Sequence, residues 1–288
     1  MTTATVTSDR SAGPVDTAQK RRQGSAWRRF AAMARAELTI LMRNKVAAFY
    51  AVALGPLMVL LFANLPTVRM IADVLPGGGL TAMLVSMLTI FGLTMAIYYN
   101  LTTAVVARRE KLMLKRLISG EATRGEVLQA IATPNVAIFL IQFVAVFIAA
   151  SFAFGTPAMV NPVLILAALV LGIVLSVSLA YVTGAFTRTV EAAQLTTMPG
   201  MMIAMLASGI LLPASIMPDA VIRVLELLPF YPMVELLTLG MTGADLTGAT
   251  HDFAGTFAAA AFPLAVLAAW TVLVLLALRR WMRWEPRR

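Results

Sequence analysis

A single histidine, no cysteine and four lysines set the limits of what this 288-residue chain can do chemically. His251 stands beside Asp252 in a polar stretch and reads as a solvated loop residue. One imidazole is too few for the two-histidine zinc helix HExxH, and it leaves a nucleophilic triad without its partner set. The absence of cysteine removes disulfides and thiolate metal sites, and no metal centre is expected. Lys20, Lys45, Lys111 and Lys115 follow Gln19, Asn44, Glu110 and Leu114. A phosphate-binding P-loop needs Gly directly before its Lys, so ATP has no such site here. Any uphill work must draw its energy from another chain, and no catalytic residue or cofactor is expected on this one.

Two stretches carry patterns that are mechanical rather than catalytic. The first is ARREKLMLKRLISGEATRGEV, Ala107 to Val127, with six Lys and Arg residues. Leu112, Leu114, Leu117 and Ile118 interleave with Arg108, Arg109, Lys111, Lys115 and Arg116, the pattern of an amphipathic helix that Gly120 would stop. Thr123-Arg124-Gly125-Glu126 then fits a capping box, in which a hydroxyl and a carboxylate satisfy each other's exposed backbone N–H groups. The segment predicts a helix, a tight turn and a second helix. Two uses fit it: a positively charged loop that fixes topology and touches anionic lipid, or a docking surface for a soluble partner. The second stretch places Met198, Met201, Met202 and Met205 at helical spacing. These are either methionines in ordinary packing or lipid contact, or a compliant, polarisable wall for an apolar substrate.

The elements that must position these residues are membrane spans. The chain is 60% hydrophobic and 13% charged, a surplus of apolar residues that a soluble core of this size cannot hide. Six uncharged apolar runs approach the roughly 20 residues needed to cross hydrocarbon as a helix. They are Val46 to Leu65, Leu80 to about Ala107, Ala132 to Phe154, Val163 to Phe186, Leu195 to Leu212 and Phe257 to Leu278. No run holds an ionisable group, so a proton or sodium relay has nothing to run on, and no internal repeat supports a carrier of the inverted-repeat kind. Pro199 and Gly200 predict a kink in the fifth span rather than its end.

Of the 23 Lys and Arg residues, 21 fall in the N-terminal segment, the second and fourth connections and the C-terminus; only Arg69 and Arg223 lie in the others. The positive-inside rule therefore places both termini in the cytoplasm. The net charge of +9 alternates with apolar spans instead of forming one soluble face, so nucleic acid is not an expected partner. Residues 1 to 25 read as a disordered cytoplasmic tail. From Trp27 the residues Phe30, Ala34, Leu38 and Leu41 continue one apolar stripe, flanked by Arg28, Arg29, Arg35 and Arg43. That pattern predicts an amphipathic helix lying on the inner membrane surface, or else a solvated linker.

Several of these residues carry a family likeness. Arg109-Glu110-Lys111 through Leu114, Leu117 and Thr123-Arg124-Gly125-Glu126 resembles the loop between the second and third spans of the ABC-2 type permeases, the daunorubicin-resistance group in particular. Ser208-Gly209-Ile210-Leu211-Leu212-Pro213, then Met217-Pro218 and Leu227-Leu228-Pro229, resembles that family's segment between the fifth and sixth spans. Glu191-Ala192-Ala193-Gln194 adds a weaker match at the start of the fifth span. The likeness covers nearly everything after Trp27. Three departures stand out: Leu112-Met113 replace a common Gly-Thr, Glu121 stands where Pro is usual, and the Arg often found beyond Leu237 is missing.

The resemblance implies an all-α membrane domain over residues 26 to 288. It would have six transmembrane helices, an interfacial helix at Trp27 to Met42, and short re-entrant outer helices around Pro213, Pro218 and Pro229. It implies the permease subunit of an ABC exporter, paired with a second copy and with a separate ATPase subunit that carries the ATP and magnesium. Arg116, Glu121, Thr123, Arg124 and Glu126 would form the coupling loop that docks on the ATPase. Uncharged spans point to an amphipathic or lipid-like cargo such as a drug, an antibiotic or a lipid. The surplus of Arg over Lys and the abundance of Ala point to a GC-rich bacterial genome, and with the resemblance the expected location is the plasma membrane of a bacterium. A non-transporting membrane scaffold that recruits a soluble partner, or a secondary carrier, is the alternative.

Overall fold

The computed structural model describes residues 28, 31–49, 52–53, 55–66, 68, 70, 79–111, 123–210 and 217–281. Every named element among them is helical; the one extended contact is an isolated bridge between Ala244 and Thr250. In chain order the helices are α1 (31–43), α2 (Lys45–Phe49), α3 (Gly55–Ala63), α4 (Gly79–Glu110), α5 (Arg124–Phe154), α6 (Pro162–Phe186), α7 (Val190–Ala207), α8 (Asp219–Glu226), α9 (Phe230–Thr242) and α10 (Phe253–Trp281).

Four of these, α4, α5, α6 and α10, are long and apolar enough to cross a membrane. They coincide with the second, third, fourth and sixth expected spans, but run beyond them. Helix α5 starts eight residues before the expected Ala132, at the capped turn itself, so the cytoplasmic helix expected after that turn is the first two turns of the span. The fifth expected span corresponds to the 18-residue α7, which starts earlier than expected, at Val190, because Thr189 caps it through the Ala192 amide. It runs through Pro199 without ending, as expected. The first expected span is described only in short pieces, and the 1–25 tail lies outside the described residues.

Helix α4 is the axis of the bundle, with 78% of its most apolar window buried, against 22% for α5 and for α10. Its core face carries Leu93, Ile97 and Leu101, packed with Phe139 of α5, Leu175 of α6 and Leu237 of α9. Exposed Ile141 and Phe152 of α5 and Phe262 and Leu276 of α10 point outward, where lipid solvates them. Midway, Gly92–Tyr99 of α4 is wound as a π-helix. A side chain at Gly92 would meet the Phe139 ring at 2.6 Å, so the widened turn and the bare glycine together admit that ring.

The bundle has two chemically distinct ends. At one, called here the basic end, lie the C-termini of α4, α6 and α10 and the N-terminus of α5; Phe186 and Trp281 stack edge to face there at 5.7 Å. At the other, the acidic end, Thr81 donates to the Gly155 carbonyl at 2.7 Å and Asn161 donates to Thr256 at 2.9 Å.

Helix α9 has 13 residues, too few to cross a bilayer, yet nearly all of it is buried. Its C-terminal end sits at the acidic end, where the Gly240 and Met241 carbonyls accept from the Asn161 and Met159 amides at 2.9 and 2.8 Å. Its N-terminal end is joined to the Leu227 turn, whose carbonyl accepts from the Trp270 indole at 2.7 Å. Trp270 lies about 25 Å along α10 from Phe253 at 1.5 Å per residue. The turn between α8 and α9 is therefore sunk deep along the bundle.

Candidate functional site

The capping box at the start of α5 is fully formed. The Thr123 amide donates to the Glu126 carboxylate at 2.8 Å, and the Glu126 amide donates to the Thr123 hydroxyl at 3.3 Å. Thr123, Arg124 and Gly125 are exposed, so the turn projects from the basic end and leads directly into the 31-residue helix, which runs on through Pro134. Arg116 and Glu121 lie outside the described residues, as do Leu112 to Ala122 as a whole.

Behind the turn sits a set of buried polar contacts that the sequence did not reveal. Arg108 and Arg109, expected on the charged face of an amphipathic helix, are instead 7% and 1% exposed. Arg108 pairs with Glu37 of α1, donating from Nε at 2.8 Å with a second, Nη2 contact to the other carboxylate oxygen. Its Nη1 donates to the Ala104 carbonyl at 2.8 Å, which fixes the guanidinium on its own helix. Arg109 donates to the carbonyls of Gly184, at 2.7 Å, Ala185 and Thr187. A guanidinium there satisfies the unpaired carbonyls at the C-terminus of α6 and complements the negative end of its dipole. The buried Tyr181 of α6 donates its hydroxyl to the Leu128 carbonyl, one turn into α5.

The ion pair also shows which side of α1 faces the bundle. The half-buried face carries Ala34, Glu37 and Leu41, while Leu38 of the expected stripe is exposed; Trp27 and Phe30 lie outside the described residues. Periodicity alone marks the apolar stripe and does not pick out Glu37, which the ion pair places toward α4. The available signal was compositional: Glu37 is the one acid between Trp27 and Leu65, set among four arginines.

The methionine cluster divides. Met201 and Met205 pack against the main core, whereas Met198 and Met202, 56% and 62% exposed, face away from it. A side chain at Gly200 would meet the Tyr98 hydroxyl at 2.8 Å; that hydroxyl bonds Thr183 at 3.1 Å, so α4, α6 and α7 meet at that level. An open apolar recess of about 530 Å³ lies further along α7, lined by Ile203 and Leu206 and by Pro218, Val221 and Leu225 at α8. None of the four methionines lines it. Pro218 and Pro229 cap α8 and α9, the first exposed and the second buried; Pro213 lies outside the described residues.

At the acidic end, His251 is not the solvated residue expected beside Asp252. Its ring contacts the Asp245 carboxylate at 3.3 Å, and its amide donates to the Gly243 carbonyl at 2.7 Å. Burial opposes the charged form of Asp245, but bonds from the Thr247 hydroxyl, His251, and the Ala249 and Thr247 amides outweigh it and hold its pKa below the usual range. Glu235, half-buried on α9, is pushed up to about 7 by burial first and then by the charges of Asp245 and Glu226.

Among the described residues no group of His, Asp and Glu is placed to hold a metal ion. The arrangement is a membrane bundle with an exposed, capped turn and polar contacts packed behind it. The family of ABC-2 type transporters matches residues 25–242. No curated protein matches the chain. Members of that family form the multi-pass membrane subunit of a transporter, not its catalytic part, and normally work with an ATPase subunit. With well over half of its length matched and four apolar helices able to span a bilayer, the chain belongs to the ABC-2 type transporter family.

Proposed function

We propose that this chain is the permease subunit of an ATP-driven exporter in a bacterial plasma membrane. It carries six spans and has both termini in the cytoplasm. Two copies pair to form the path, and two copies of a separate ATPase subunit bind the basic end. The observation that carries the reading is the capped Thr123–Glu126 turn, exposed at the head of a helix that continues unbroken into the membrane. An ATPase that moves this turn moves the span. Arg116, Glu121, Arg124 and Glu126 supply the charged docking contacts. The 21 to 2 division of basic residues supports a cytoplasmic basic end. The depth of the Leu227 turn supports re-entrant α8 and α9, which close the path from outside. Cargo is amphipathic or lipid-like, a drug, an antibiotic or a lipid, with Met198, Met201, Met202 and Met205 along its route.

The test is co-purification with an ATPase encoded beside the gene. Arg124→Glu combined with Glu126→Gln reverses one docking charge and removes another, while glutamine preserves the capping box. Loss of ATPase binding, with the variant still folded in the membrane, is the expected result; full binding and unchanged ATP turnover would sink the assignment.

A further inference from the structure

The three inner contacts behind the turn join four elements in series. Glu37 of α1 holds Arg108 of α4; Arg109 of α4 holds the end of α6; and Tyr181 of α6 holds Leu128 of α5. Each contact is buried or half-buried and anchored on a helix. Arg108 is fixed by Ala104 and cannot follow Glu37 without moving α4, and Arg109 is gripped by three carbonyls at once. In the low dielectric of a membrane border such bonds are strong, and breaking one leaves a buried charge or donor unpaired. Helix α7 meets the end of α6 through the hydroxyls of Thr187 and Thr196, 2.8 Å apart.

We infer that Glu37, Arg108, Arg109 and Tyr181 are positioning residues of a mechanical linkage that makes α1, α5 and the basic ends of α4 and α6 move as one rigid body. Its functional consequence rests on the Thr123 turn being the ATPase contact: a push there is delivered to the surface helix α1 and to α6 together, not to α5 alone. Helix α1 then serves as an outrigger that lies along the membrane and resists tilting of the body it is tied to.

The natural absence of cysteine makes the test direct. Leu38→Cys on α1 and Gln129→Cys on α5, both exposed, carry nitroxide labels in the full chain, reconstituted in liposomes and diluted with unlabelled chain so that each assembly holds one labelled copy. Pulsed EPR should give one narrow distance distribution. Glu37→Gln, which keeps the side chain's shape, and Tyr181→Phe should each broaden it about twofold as the helices gain independent motion. A broad distribution in the parent chain, or one unmoved by both substitutions, overturns the linkage. With the ATPase bound, the Leu38–Gln129 distance should be the same without nucleotide and after vanadate trapping with ATP; a shift between the two states also overturns it. If no ATPase binds at all, the docking assignment falls while the label distances in the permease alone still decide the linkage.

Discussion

Arg108 and Glu37 form an ion pair whose side chains are 9% and 12% exposed, and that burial decides how substitutions there behave. Removing one partner strands the other, so Glu37→Ala should cost about 3–5 kcal/mol of stability. Replacing both, Glu37→Leu with Arg108→Met, should cost far less, because no charge is left unpaired. Thermal unfolding of the detergent-purified chain separates the two outcomes, and equal losses would show that the pair is not the source. Arg109→Lys keeps the charge but loses the fork that reaches the carbonyls of Gly184, Ala185 and Thr187, and should cost about 2 kcal/mol in the same assay.

The helices themselves were largely legible, and the reasons are local. Uncharged runs fixed four spans because lipid leaves a polar backbone no option but to close its own bonds. Thr123 and Glu126 announced a cap because their spacing matches one turn of helix. What stayed hidden depended on partners that no helical or strand spacing announces: Arg108 on Glu37 and Arg109 on the end of α6, both far off in sequence, and His251 on Asp245 across a loop. Such pairings have no period, and a basic run near a membrane reads as a surface charge until another helix is seen to cover it. Close helix approach was equally illegible. A methyl at Gly240 would lie 2.5 Å from Ile165 and 2.9 Å from the Asn161 carbonyl, which belongs to backbone and cannot swing aside. Gly240→Ala should therefore push α9 off α6 at a cost of about 1–3 kcal/mol. Limited proteolysis at the acidic end should accelerate; unchanged cleavage would mean that α9 is held elsewhere.

Across the whole molecule, charge divides the two ends and gives stability a pH dependence at the acidic one. The carboxyl of Glu235 titrates near 7 when folded, above its ordinary value of 4.5, because burial and the neighbouring Asp245 and Glu226 disfavour its charge. The folded state then binds more protons than the unfolded one between about 4.5 and 7, so stability rises as pH falls through that window and the charged-state penalty is complete above it. Melting temperatures from pH 8 to pH 5 should climb in the parent chain by more than in Glu235→Gln; parallel curves would remove Glu235 as the cause. One last consequence is optical. Of the two described tryptophans, Trp270 and Trp281, only Trp270 stands well inside a membrane-crossing helix, and its indole is held by the carbonyl of the sunken Leu227 turn. Its emission is a native fluorophore signal tied to that turn, so when the turn withdraws and the indole loses its acceptor, the colour of the light the protein emits should change without any dye being added.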